Sequence, residues 1–234
     1  MKSINKLSIV IPVYNEEKTI AKLLERVSKV DLGKIKKEII VVNDGSTDKT
    51  LDEIRKAKKN GLDFYLINYK TNKGKSSALR TGFKYITGDV VVVQDGDMEY
   101  EPSDFKFMLD KMGKSGVQVV YGSRLLGKKK IKYSGLNFFM GGLVLTKLTN
   151  LLYGSKITDE PTCYKMFETK LLKSLKLKSK YFEFCPEVTA KVLKRGVIIY
   201  EVPISYDPRH VSEGKKIRAT DFLEAVWVLI KEKF

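Results

Sequence analysis

Asp95-Gly96-Asp97 places two carboxylates one residue apart, directly after the apolar run Val90-Val91-Val92-Val93-Gln94. In a chain of formal net charge +16, an acidic pair at a buried strand end is costly unless something positive binds there. Carboxylate oxygens suit a hard divalent cation such as Mg²⁺, Mn²⁺ or Ca²⁺. The competing reading is a turn in which Asp and Gly supply only loop geometry. The rest of the inventory narrows the chemistry. His210 is the single histidine, which excludes His-based zinc sites and argues against a Ser-His-Asp triad. The chain has no GxxxxGK[ST] loop and no GxGxxG, so neither a P-loop nor a dinucleotide fingerprint is present. What remains is chemistry run on carboxylates, cations and a metal.

Such residues need a scaffold, and the first half supplies one. Residues 7–13, 38–42, 64–68, 90–94 and 117–121 read as apolar, β-branched strands. Between them, 16–30, 47–59, 75–86 and 105–113 carry helical periodicity. Near-continuous apolar strands alternating with amphipathic helices predict an α/β fold, a mostly parallel sheet covered on both faces. Ligands of such sheets bind at the carboxyl ends of the strands. Those ends carry Pro12, Tyr14, Asn15 and Glu16; Asn43, Asp44, Gly45 and Ser46; Asn72, Lys73, Gly74 and Lys75; Asp95 and Asp97; and residues 121–124, ending in Arg124. Ser46, Thr47 and Asp48 would also serve as helix caps, but capping does not account for every cluster on one rim.

The second half changes character. Residues 134–153 are unusually apolar and follow the basic run Lys128-Lys129-Lys130. The segment is read either as a core helix or as an interfacial helix on a membrane, its lysines near anionic headgroups. Residues 198–204 predict a strand and 219–231 a closing helix, with the Arg- and Lys-rich stretch 206–218 between them. No apolar run is long enough to span a bilayer, and residues 1–7 have no apolar core of a signal peptide. Cys163 and Cys185 suggest neither a disulfide framework nor a zinc site. A cytoplasmic protein, soluble or peripheral, is expected. It reads as one domain, a first half (1–125) of alternating strands and helices and a second (126–234) with the α-rich extension.

Four motifs in order, IVIPVYNEE (9–17), VVNDGS (41–46), NKGK (72–75) and DGD (95–97), resemble family 2 glycosyltransferases of the GT-A fold. DEPTCYK (159–165), FEFCPE (182–187), EVPI (201–204) with Arg209, and EGKK (213–216) resemble the polyprenyl-phosphate sugar synthases, of which dolichol-phosphate mannose synthase is best known. Processive polysaccharide synthases carry a Q/R-x-x-R-W motif that is absent here.

The resemblance implies an inverting transfer of a hexose from GDP-mannose or UDP-glucose to a polyprenyl (dolichyl) phosphate at the cytoplasmic face of a membrane. Pro12, Tyr14 and Glu16 would shape the nucleoside pocket, Asp44 would contact base or ribose, and the loop bearing Lys73 would line it. Asp95, Gly96 and Asp97 would bring Mg²⁺ or Mn²⁺ to the donor diphosphate, with Glu99 standing where the mannose synthases have an amide-bearing ligand. Arg124, Arg209, Lys215 and Lys216 would bind phosphates, and Asp159 would act as base or orient a sugar hydroxyl. Attachment to the membrane would come from the apolar helix, basic residues or an anchoring partner protein. Two other readings compete. A sugar or protein hydroxyl acceptor would need a true base. A nucleic-acid module would leave the acidic rim unexplained, since carboxylates repel phosphate backbones; no nucleic-acid partner is expected.

Overall fold

A computed structural model describes residues 3–127, 133, 135–209 and 219–234. The expectations on Lys128 to Lys130, His210, Lys215 and Lys216 lie outside the described residues. The alternating pattern of the first half folds as β1 (Lys6–Val13), α1 (Ile20–Lys29), β2 (Lys36–Asn43), α2 (Thr50–Lys59), β3 (Tyr65–Asn68), α3 (Lys75–Tyr85), β4 (Val90–Val93), α4 (Phe105–Met112) and β5 (Val119–Ser123). The second half contributes α5 (Leu136–Tyr153), β6 (Lys165–Glu168), α6 (Thr169–Ser174), α7 (Phe184–Lys194), β7 (Ile199–Pro203) and α8 (Ala219–Lys233).

These strands form one sheet in the order β3-β2-β1-β4-β6-β5-β7. β1, β2, β3 and β4 pair in parallel, as do β5 and β7. β6 runs antiparallel to both of its neighbours. Alternation along β1 explains the two-sided core. Leu7, Ile9, Ile11 and Val13 pack with α1, α2 and α4, while Val10 faces α3, α6 and α7. α3 sits so close that a Cβ on its Gly82 would lie 2.4 Å from Val10 Cγ1. This is the expected GT-A-type α/β architecture, with helices on both faces of a mostly parallel sheet.

Three local differences matter to the site. α1 starts at Ile20 rather than at 16, because Asn15 takes φ +50 and residues 14–19 turn before the helix begins. That turn places the Glu16 side chain where it accepts from Thr19 Oγ1 at 2.8 Å and from Arg209. β5 ends at Ser123, which leaves Arg124 as the first residue beyond the strand. β6 has no counterpart in the sequence reading, since it is four residues long and opens with a lysine. Lys165 is nevertheless fully buried. Its Nζ donates to the Glu160 carbonyl at 2.6 Å and lies 3.6 Å from the Tyr121 ring centre.

α5 and α8 pack on each other and on α7 through Leu145, Ala190, Ala225 and Leu229. Their outer faces remain apolar, with Leu136, Met140, Val144 and Leu151 exposed on α5 and Leu223 and Trp227 on α8. Among the described residues no helix is long and apolar enough to cross a membrane.

Candidate active site

The carboxyl ends of β1, β2 and β4 meet on one rim. Asn15 N donates to Ser46 Oγ at 2.9 Å, and Thr47 N donates to Asn15 Oδ1 at 2.8 Å, tying the turn after β1 to the turn after β2. Asp44 is buried, and its two oxygens accept Lys73 N–H and Gly74 N–H, each at 2.8 Å. Burial pushes its carboxyl up, against the pull of those two donors. Asp44 thus clamps the loop that carries Lys73, whose Nζ lies 4.3 Å from the Tyr69 ring centre. Gly45 makes the clamp possible: at φ +68 it passes so near Thr71 that a Cβ would sit 2.3 Å from its carbonyl carbon. Pro12 lies within β1, opposite Val42, and the Gly96 backbone crosses directly over its carbonyl. Tyr14 is half-buried beside this rim.

Four carboxylates gather where β4 ends, and two cations answer them. Lys75 Nζ contacts Asp95 Oδ1 at 2.5 Å and lies 3.3 Å from Cys163 Sγ. Arg209 reaches Glu16 at 3.0 and 3.2 Å, Asp97 Oδ2 at 2.7 Å, and Glu99 Oε1 at 3.6 Å through Nε. Burial and the neighbouring charges of Asp95 and Glu99 push Asp97 up to about 7 despite Arg209. Asp95 feels the same burial, yet Lys75 holds its carboxyl below the ordinary range. Glu99 anchors the chain that follows β7. It accepts Tyr206 Oη at 2.9 Å and Arg209 N at 3.1 Å, while its carbonyl takes Asp207 N at 2.8 Å.

Arg124 and Asp159 form a second cluster. Asp159 Oδ2 accepts Arg124 N at 2.9 Å and Nε at 2.7 Å, and Oδ1 accepts Nη2 at 2.6 Å. Asp159 is 2 % exposed. Burial works to raise its carboxyl, but the guanidinium outweighs burial and holds it below the usual carboxylate range. The Tyr206 ring stands between the two clusters, with the Arg124 guanidinium 5.1 Å from its centre and its hydroxyl on Glu99. Glu201 entered the sequence reading only as the first residue of EVPI and Tyr206 only as the start of the 206–218 stretch, neither with a role. Tyr206 lies 107 positions from Glu99, and nothing local marks such a contact.

The donor set fits a hard cation in one specific way. Among the described residues no three His, Cys, Asp or Glu side chains are gathered to hold a metal by themselves. Mg²⁺-type sites commonly use one or two carboxylates and complete the shell with substrate phosphate and water. Asp95 and Asp97, crowded enough to lift the Asp97 carboxyl, suit that arrangement. Both Glu99 oxygens are already engaged.

The fold and sequence were compared with known proteins. Glucosyl-3-phosphoglycerate synthase of Mycobacterium tuberculosis, solved with UDP, superposes with a TM-score of 0.73 at 18 % identity, covering 98 % of this chain and 79 % of that one. The same enzyme has been crystallised with Mn²⁺ and UDP. A UDP-N-acetylglucosamine–dolichyl-phosphate N-acetylglucosaminyltransferase of Methanococcus voltae is 32 % identical over 84 % of this chain and 83 % of its own length. A dolichyl-phosphate beta-glucosyltransferase of Trichomonas vaginalis is 27 % identical over 96 % of this chain and 72 % of its own. Residues 8–176 match the model of glycosyl transferase family 2, and since they make up most of the chain, the chain belongs to that family.

Proposed function

We propose that this glycosyltransferase moves a hexose from a nucleoside-diphosphate sugar to a polyprenyl phosphate, inverting the anomeric carbon. The observation that carries the reading is the pairing on one rim of a carboxylate centre, Asp95 and Asp97, with two partly buried arginines, Arg124 and Arg209. The names of the relatives support the acceptor class. Residues 1–125 would form the donor half and 126–234 the acceptor and membrane half of one domain.

In this reading Pro12, Tyr14, Asp44 and the loop of Lys73 shape the nucleoside end of the pocket. Asp95 and Asp97 would hold Mg²⁺ or Mn²⁺, which would supply charge neutralisation for the departing diphosphate. Glu99 holds the segment of Tyr206 and Arg209 in place instead of ligating the metal. A phosphate oxygen of the acceptor forms the new bond to the anomeric carbon. The bond from that carbon to the diphosphate oxygen breaks, and its electron pair leaves with the nucleoside diphosphate. The attacking oxygen is already anionic, so positioning outweighs base catalysis. Arg124 spends Nε and an Nη2 N–H on Asp159, and the Nη1 side of its guanidinium would meet the acceptor phosphate, with Arg209 as the cation on the donor side. The locked state of Asp159 favours a phosphate acceptor over a hydroxyl, which would need a free base.

The apolar outer face of α5 would seat the protein peripherally on the cytoplasmic face of the membrane that holds the lipid, alone or with an anchoring partner. Thermal-shift measurements with UDP-glucose, GDP-mannose and UDP-N-acetylglucosamine, each with and without Mn²⁺, test the donor reading. A ligand at a hundred times its Kd stabilises by about 2.7 kcal/mol. One of the three should raise the melting temperature, and more so with Mn²⁺. No shift with any donor would overturn the reading.

A further inference from the structure

β5 and β7 pair in parallel with Tyr121 opposite Glu201, so Glu201 lies on the strand next to the one that ends just before Arg124. Its carboxylate is half-buried and accepts two backbone N–H groups. Oε2 accepts Thr158 N–H at 2.8 Å, and Oε1 accepts Asp159 N–H at 3.1 Å. One carboxylate thereby fixes two successive peptide groups, the second belonging to the residue whose side chain grips Arg124. The same turn is braced from other sides. Thr158 Oγ1 is 2.7 Å from Ser123 Oγ, and Asn150 Oδ1 and Nδ2 take the N–H and carbonyl of Ile157. Those braces hold the turn, and among the described residues the Asp159 N–H itself donates to Glu201.

We propose that Glu201 is a positioning residue for the acceptor phosphate, acting through the Thr158-Asp159 backbone and the Asp159 carboxylate to set the direction of the Arg124 guanidinium. The inference rests on the reading of Arg124 as the acceptor-phosphate ligand. Two features favour it over plain structural support. The carboxylate is spent on backbone donors although it sits close to Asp159, a like charge, and burial raises its carboxyl despite those donors. And each link from Glu201 to Arg124 is a directional hydrogen bond, so a shift at one end is carried to the other. A forked guanidinium tolerates little misalignment, and displacements of the order of 1 Å in such sites cost large factors in function.

The test uses the full chain and dimethylallyl monophosphate, a water-soluble prenyl phosphate, with affinity measured by calorimetry. Glu201→Gln keeps size and shape but sets an amide N–H₂ against one backbone N–H. It should weaken monophosphate binding about tenfold, as should Arg124→Lys. The double variant should bind no more weakly than Arg124→Lys alone, because both changes break one chain of contacts. Glu201→Asp, which keeps both oxygens one methylene short, should fall between wild type and Glu201→Gln. Binding of UDP and GDP with Mn²⁺ should stay within twofold throughout. Asp159→Asn should reproduce the loss with the backbone clamp intact, which keeps the measurement informative if Glu201→Gln folds poorly. Wild-type affinity in Glu201→Gln or in Asp159→Asn, an additive double variant, or an equal loss of nucleotide binding would overturn the proposal. If Arg124→Lys binds the monophosphate as wild type does, the reading of Arg124 itself falls, a result distinct from the others.

Discussion

Asp159 receives three hydrogen bonds from a single residue: the backbone N–H, Nε and Nη2 of Arg124 all end on its carboxylate. A carboxylate so held, and buried, is an anchor for its arginine. In the proposed reading it serves as that anchor and not as a general base. The consequence reaches the choice of acceptor, because an alcohol must surrender a proton during attack while a phosphate oxygen need not.

The pH dependence follows with a definite sign. The folded carboxyl of Asp159 lies below its unfolded value, near 3.9 for aspartate in peptides. Its pairing therefore contributes fully above that unfolded value and is lost only as pH falls through the lower, folded one. Between pH 5 and 8 the pair stays ionised. The pH–rate profile of sugar transfer to a prenyl phosphate should show no limb there belonging to Asp159. Any limb near pH 6, where a phosphomonoester takes its second charge, should persist in Asp159→Asn at a lower rate. A limb that disappears in Asp159→Asn would restore it as a base.

The acidic centre makes a separate prediction. Asp97→Ala removes one of the two carboxylates assigned to the cation, and a chelator removes the cation. Each should abolish transfer and erase the Mn²⁺-dependent part of the donor-induced thermal shift. Arg209→Ala leaves Glu16, Asp97 and Glu99 without their shared guanidinium, a loss of about 1–3 kcal/mol for a partly exposed pair. Mn²⁺ alone should then stabilise Arg209→Ala more than it stabilises wild type, since a divalent cation can take over the missing charge. Full transfer by Asp97→Ala or by the chelated enzyme would defeat the metal assignment.

Much of this was legible before the structure. The continuous apolar runs and the period-3.6 patterns specify β1 to β5 and their helices because a sheet buried on both faces leaves few polar positions in its strands. The rim rule then gathers Glu16, Asp44, Asp95, Asp97 and Arg124 without any knowledge of contacts. Pairings across the chain stayed hidden. Arg209 with Glu16 spans 193 positions, and no local propensity encodes such a pair. β6 escaped because its buried lysine broke the apolar signature, although a carbonyl and an aromatic face satisfy the charge in the fold. Asp159 was read as base or sugar ligand because sequence gives a carboxylate but not its partner.

Two glycines separate close approach from backbone strain. Gly45 and Gly61 both hold positive φ, +68 and +90, but a Cβ on Gly45 would strike Thr71 while one on Gly61 would meet nothing within 4 Å. Gly61→Ala should cost about 1 kcal/mol from strain alone and leave nucleotide binding unchanged. Gly45→Ala should force the 71–74 loop off Asp44. Its expected cost is about 3 kcal/mol or more, together with at least a tenfold loss in UDP or GDP affinity. Equal effects of the two changes on calorimetric nucleotide binding would mean that the Asp44 clamp does not shape the pocket.

The outer face of α5 carries the last prediction. Leu151 is 82 % exposed, and Leu136, Met140 and Val144 extend the same apolar stripe at helical spacing. Soluble surfaces rarely leave such a stripe uncovered without a partner for it. A leucine buried fully in an apolar phase gains about 1.5–3 kcal/mol, so Val144→Glu with Leu151→Glu should weaken binding to phosphatidylglycerol-containing vesicles at least a hundredfold. The melting temperature should barely move, because neither side chain packs into the core. Binding of dimethylallyl monophosphate should also be unaffected, which separates membrane seating from acceptor chemistry. Transfer to a long-chain polyprenyl phosphate embedded in vesicles should fall, while transfer to a short acceptor in detergent should not. If vesicle binding survives the double change, the stripe is not the membrane seat, and the exposed Leu223 and Trp227 of α8 become the next surface to alter.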